Sequence, residues 1–469
     1  MTTGATRTEG TEHFRMTYIW AICLVAAMGG LLFGYDWVVI GGAKPFFERY
    51  FQWTTPSEKG WANSCALIGC LLGAVLSGGL SDKFGRKRLL ILAAGLFTVT
   101  SIGTAMASAL SVFVAWRLLG GVAIGLASSL SPMYIAEVSP AAMRGMFVSV
   151  NQLTIVIGIV SAQFANYRIA ETVARGATDL QILNSWNGQM GWRWMFGLTA
   201  VPSLVFLILM FLVPESPRWL AKNGKPRKAR EVLAGIGGEP YAQAALADIE
   251  GTLAGDVEKV DFRELLAPKT LKILFLGIVL AVFQQWCGIN TIFNYADEIF
   301  AAADYGVNET LLNIVATGAV SLVFTLVAIF TVDRLGRRWL MLAGSGGLVL
   351  IYACIGAGYR CHWTGTPVLL LVLAAMACYA CTLAPIVWVI LSEIFPNRIR
   401  GGAMSVAVFA LWTGCFTLTY TFPHLKQAIG IGNTFWFYAA ICAAGFVFIL
   451  VRLPETKGKT LEEIERELG

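Results

Sequence analysis

The chain has 469 residues, a net charge of +6, 57% hydrophobic residues and only 14% charged ones. A soluble domain carries about 25% charged residues, so this composition excludes a water-soluble globular fold and makes lipid the solvent for most of the surface. Three scattered histidines, with no catalytic triad, phosphate loop or metal-ligand cluster, argue against an enzyme and against a bound metal or cofactor.

Residues 1–16 are polar and read as a cytoplasmic N-terminus without a cleavable leader, so that the first apolar run stays in place as a signal anchor. A membrane span needs about 20 apolar residues. Such runs stand near 17–42, 60–81, 89–108, 111–135, 146–168 and 194–213, within a first six-helix bundle over 17–213. A polar stretch at 214–269 follows, where Ser216 and Pro217 form a helix start and two amphipathic patterns predict short cytoplasmic helices. Six further runs stand near 270–296, 310–332, 339–358, 367–391, 402–424 and 433–453, making a second bundle over 270–453, with 454–469 as a cytoplasmic C-terminus. The expected fold is an all-α membrane protein of twelve transmembrane helices in two pseudo-symmetric bundles. Of the 35 lysines and arginines, Lys44, Arg49, Lys59, Arg168, Arg175, Arg193, Arg360 and Lys426 fall on one side and Arg117 within a span. The others share the side of the N-terminus, which places both termini in the cytoplasm.

The two halves repeat one another. GGLSDKFGRKR, with Asp82 and Arg86, corresponds to VDRLGRRW, with Asp333 and Arg337. YIAEVSPAAMRG, with Glu137 and Arg144, corresponds to LSEIFPNRIRG, with Glu393 and Arg400. PESPRWL, with Glu215, corresponds to PETKGKT. Positive-inside topology accounts for the bases but not for acids recurring at fixed places. These residues are expected to pair across the seam between the bundles, in a cytoplasmic charge network that holds the outward-open state and breaks when the cytoplasmic side opens.

Asp36 and Arg117 are ionisable groups inside spans one and four, each expected about 9 Å below the outer boundary. A charge there costs at least ~2.5–3.5 kcal/mol, so the two are expected to pair. Separating them by helix movement would favour the protonated aspartate, which ties proton binding to conformation. Span seven carries Gln284, Gln285, Asn290 and Asn294, with Gly288 allowing a local break. Span five carries Gln152, span ten Trp388 after Pro385, and span eleven Trp412. Amides for hydroxyl groups and indoles for a C–H face are what a polyhydroxylated solute requires.

Together the motifs resemble the sugar porter family of the major facilitator superfamily, as do GGLLFGYD (Gly29 to Asp36) and FQQWCGIN (Phe283 to Asn290). The similarity runs over nearly the whole chain and is nearest to bacterial proton–sugar symporters. It implies a rocker-switch transporter of monosaccharides with the proton as coupling ion. It also implies sugar contacts from Gln152, Gln284, Gln285, Asn290 and Trp388, with Phe33 and Trp412 lining the cavity. Asn294, Ser321 and Leu411 depart from the family's usual residues and leave the sugar open, with a polyol as the alternative. The competing readings are a facilitative uniporter, in which Asp36–Arg117 is structural, and a non-transporting sensor, which would carry long cytoplasmic extensions. The expected setting is a bacterial inner membrane, with lipid around the protein, no nucleic-acid partner and a monomeric state.

Overall fold

A computed structural model describes residues 14–255, 267–395 and 400–457; the side chains of Asp333 and Arg400 lie outside that description. Among the described residues every element is helical. Helix α1 is Met16–Tyr50, α2 Pro56–Phe84, α3 Arg86–Ala105, α4 Leu110–Val138 and α5 Arg144–Ile169. A short α6 (Asp179–Asn184) precedes a π turn at Asn187–Gly191, then α7 (Trp192–Gly197) and α8 (Ala200–Leu212). Next come α9 (Pro217–Lys222) and α10 (Pro226–Gly255), and then α11 (Pro268–Trp286), α12 (Ile289–Asn294) and α13 (Ala296–Ala301). The chain finishes with α14 (Val307–Leu335), α15 (Arg337–Arg360), α16 (Thr366–Cys381), α17 (Leu383–Ile394) and α18 (Arg400–Arg452).

Eleven segments among the described residues are long and apolar enough to cross a membrane. The last of them, α18, has 53 residues. At 1.5 Å per residue that is about 80 Å, more than twice the ~30 Å of a hydrocarbon core. Its backbone breaks at Gly430, with φ 79° and ψ 162°, so α18 crosses twice and the spans number twelve. The α9 start is as expected: the Ser216 hydroxyl accepts from Trp219 N–H and Pro217 opens the helix. The expected pair of amphipathic helices is found within α10, as two helical segments parted where the backbone leaves helical geometry at Gly237 (φ −136°) and Gly238 (φ 79°).

One helix crossing sets the position of the site. Gly34 of α1 and Gly158 of α5 face each other so closely that an added Cβ would fall 1.9 Å from Ile155 O or 2.0 Å from Leu31 O. Only glycine permits this approach, and it brings α1 against α5 along the inside of the first half.

One expectation needs correcting. The apolar run predicts span one over 17–42, with Lys44 and Arg49 in an external loop. Helix α1 instead runs to Tyr50, and Lys44 has no exposed surface. The helix continues because Lys44 finds three carboxylates around it, which offset the cost of burying the ammonium. Asp36 is therefore deeper along its helix than the shorter span implied.

Candidate functional site

Asp36 and Arg117 meet as expected. Arg117 Nη1 donates to both Asp36 oxygens, at 2.9 and 2.8 Å, and the two residues are only 6% and 4% exposed. The guanidinium also lies 5.4 Å from the Phe196 ring. Its Nε has no partner. Beside it is a cavity of about 10 Å³ lined by Trp37, Asn63, Cys70, Arg117 and Asn294, among others. That is room for about one water molecule. The cavity joins the first half to the second, since Arg117 comes from α4 and Asn294 from α12.

Span seven breaks where its glycine stands. Gly288 takes φ 90° and ψ −8°, a left-handed conformation that separates α11 from α12. A Cβ there would also lie 2.8 Å from the Tyr438 ring. The break turns the amides into one chain. Gln284 Nε2 donates to Leu383 O at 3.1 Å and Ala384 O at 3.0 Å, fixing it against α17. Gln285 Nε2 donates to Gln284 Oε1 at 3.4 Å. Asn290 Nδ2 donates to Gln285 Oε1 at 2.5 Å and lies 3.6 Å from Cys415 Sγ. Asn294 Nδ2 donates to Asn290 O at 2.9 Å. All four amides are buried.

An aromatic cluster stands between the halves. Phe33 and Trp37 of α1 meet Trp412 of α18 with ring centroids 5.9 to 6.1 Å apart. The sequence reading named Phe33 and Trp412 but missed Trp37, whose only signal was its place beside Asp36. Gln163 was also missed; it is buried, its Oε1 has no partner, and it packs on Gly318 of α14. Gln152 is half-buried on α5. Trp388 is 40% exposed.

The repeated motifs close into matching clasps, one at the foot of each half. In the first half Glu215 Oε1 accepts from the N–H groups of Arg86 and Lys87, both at 3.0 Å, and so caps α3. In the second, Glu455 accepts from Arg337 N–H at 2.9 Å and Arg338 N–H at 3.2 Å, capping α15. Arg86 pairs with Glu137 at 3.0 Å and Arg337 with Glu393 at 3.2 Å. The Ser216 hydroxyl meets Glu137, and Thr456 donates to Glu393 at 2.6 Å. Asp82 adds pairs to Arg86 and Lys222. These contacts tie each half to itself, whereas the sequence pointed to pairing across the seam. Arg144 is exposed and donates to the Ala136 carbonyl at 3.0 Å in place of a carboxylate. Glu455 was not singled out, although PETKGKT aligns it with Glu215. Partial burial pushes its carboxyl up, but the backbone N–H donors outweigh this and hold it below the usual range.

At the opposite end of the helices a second charged cluster surrounds Lys44. Burial pushes Asp297 up to about 6, with Lys44 drawing it down and Glu298 and Glu48 adding to the rise. Burial acts on Glu298 too, but Lys44 and Lys426 in contact with it prevail and hold it well below the usual range.

Comparison with known proteins agrees with the fold. The chain is 37% identical to the arabinose-proton symporter of Bacillus subtilis, over 97% of this chain and 96% of that protein. It is 36% identical to the D-xylose-proton symporter of Escherichia coli, with the same coverage of each. The inward-open structure of the E. coli xylose transporter superposes with a TM-score of 0.84 at 36% identity, covering 96% of this chain and 99% of that one. The same transporter bound to 6-bromo-6-deoxy-D-glucose superposes with a TM-score of 0.78, covering 97% and 100%. The family described as sugar (and other) transporter matches residues 22–468. This chain, with its twelve spans and repeated clasps, belongs to that sugar transporter family.

Proposed function

We propose that the chain carries a monosaccharide together with a proton by alternating access, from a bacterial inner membrane with both termini in the cytoplasm. The observation that carries this reading is the buried Asp36–Arg117 pair, beside a cavity that Arg117 shares with Asn294 of the amide chain. An ionised aspartate here is tolerated only while the guanidinium stays with it. Movement of α1 against α4 withdraws that partner, and the buried carboxylate then gains by taking a proton. The amide chain from Gln284 to Asn294 supplies donors and acceptors for ring hydroxyls. The rings of Phe33, Trp37 and Trp412 supply an apolar face. The arabinose- and xylose-proton symporters among the relatives support this assignment. The proton is the coupling ion, no cofactor takes part, and a monomer surrounded by lipid suffices. Residues 17–213 and 270–453 form the two moving bundles, with 214–269 between them.

Reconstituted protein in proteoliposomes, offered a panel of labelled pentoses and hexoses, tests the proposal. With acid outside, at least one sugar is expected to accumulate above its external concentration. Without the gradient it should only equilibrate. Equal uptake with and without the gradient would make the protein a uniporter, and no uptake of any sugar would remove the solute assignment.

A further inference from the structure

Lys44 is the most deeply buried cation described in the chain, and its partners come from both halves. Its Nζ pairs with Glu48 on its own helix at 3.7 Å, with Asp297 of α13 at 3.3 Å and with Glu298 of α13. It also lies 4.3 Å from the Tyr295 ring centroid. Two more lysines complete the cluster: Lys426 of α18 pairs with Glu298, and Lys59 of α2 pairs with Glu48 at 3.3 Å. The acids are only 11–13% exposed. Three bases and three acids from four helices thus balance charge at the end away from the clasps.

The halves also share hydrogen bonds there. Val173 N–H donates to Asn308 Oδ1 at 3.1 Å, and Asn308 Nδ2 donates to Val173 O at 2.9 Å. The bases and acids of the clasps pair within one half, whereas Lys44 and Glu298 bind one half to the other. If the halves part at this end, Lys44 loses both α13 carboxylates at once.

We infer that the Lys44–Glu298–Lys426 cluster is the latch that holds the outer end of the transporter shut, and that its strength sets how often that end opens. Its loss shifts the population toward the outward-open arrangement, because the Lys44 pairs with Asp297 and Glu298 exist only while the halves touch, and Lys426 holds Glu298 in place for them. The latch concerns conformation alone, so it stands whether or not the solute is a sugar or the coupling ion a proton.

The test needs neither sugar nor gradient. Cys70, which lines the cavity beside Arg117, and Cys415, which touches Asn290, are both fully buried. In right-side-out vesicles they are treated with a membrane-impermeant maleimide, and labelling of each is read by peptide mass spectrometry. Glu298→Gln is expected to raise their labelling rate at least tenfold. Lys426→Gln, at a side chain 36% exposed and so mild for folding, is expected to raise it severalfold. Asp179→Asn, which breaks the exposed Arg49–Asp179 pair at the same end, is expected to leave it unchanged. Parental labelling rates in both Glu298→Gln and Lys426→Gln would overturn the latch. An equal rise in Asp179→Asn would also overturn it, by showing that any lost charge loosens this end.

Discussion

Asp36→Asn protein is expected to exchange labelled sugar across the membrane and yet fail to concentrate it. An inward gradient of two pH units is worth about 2.7 kcal/mol per proton, or ~100-fold accumulation at one proton per sugar. With Asn in place of Asp36 no side chain at this depth changes its charge, so the accumulation ratio should fall to about 1. Exchange requires only that the loaded protein reorient, which the substitution leaves possible. The shape is kept and Asn still presents an oxygen to Arg117 Nη1, now 2.8–2.9 Å from both carboxylate oxygens. The cost falls on Arg117, left buried without a counter-charge, and lower expression is expected alongside. Counterflow and gradient-driven uptake, measured in the same proteoliposomes, check the prediction. Full accumulation by Asp36→Asn would remove the pair from coupling.

Gln285→Ala is expected to weaken sugar binding by about 10–100-fold, with a smaller change in maximal rate. Gln285 is the central link of the amide chain, giving a hydrogen bond to Gln284 and accepting one from Asn290. Truncation removes whatever bond Gln285 makes to a ring hydroxyl. It also leaves Asn290 Nδ2 with only the Cys415 sulfur at 3.6 Å. Each lost or orphaned bond of this kind costs about 1–3 kcal/mol, which gives the stated range. Gln284 is held by two α17 carbonyls and should keep its place, so the effect is local. Calorimetric titration with the transported sugar measures it. An unchanged affinity would show that Gln285 only joins helices.

What the sequence could show, it showed through local composition and repetition. Spans are runs of apolar residues, and the matching of Glu215 with PETKGKT is visible by eye. The Asp36–Arg117 pair was legible because two charges in apolar runs have nowhere else to go. The Lys44 latch was not legible. Its partners lie 253 and 254 positions away, and a lysine eight residues past a buried aspartate reads as a loop charge until the acids that neutralise it are in place. Trp388 illustrates a different limit. Its residue type points to a solute contact, but composition carries no record of how exposed the folded chain leaves its ring.

The twin clasps bear on how the protein moves. Since Glu215 and Glu455 each fasten the start of a helix to the chain beyond the last span of the same half, each foot is braced from within. A braced arm transmits a swing without bending. A displacement of a few ångströms where Lys44 lets go would then arrive undiminished at the far rim, as in a lever pivoting about the solute.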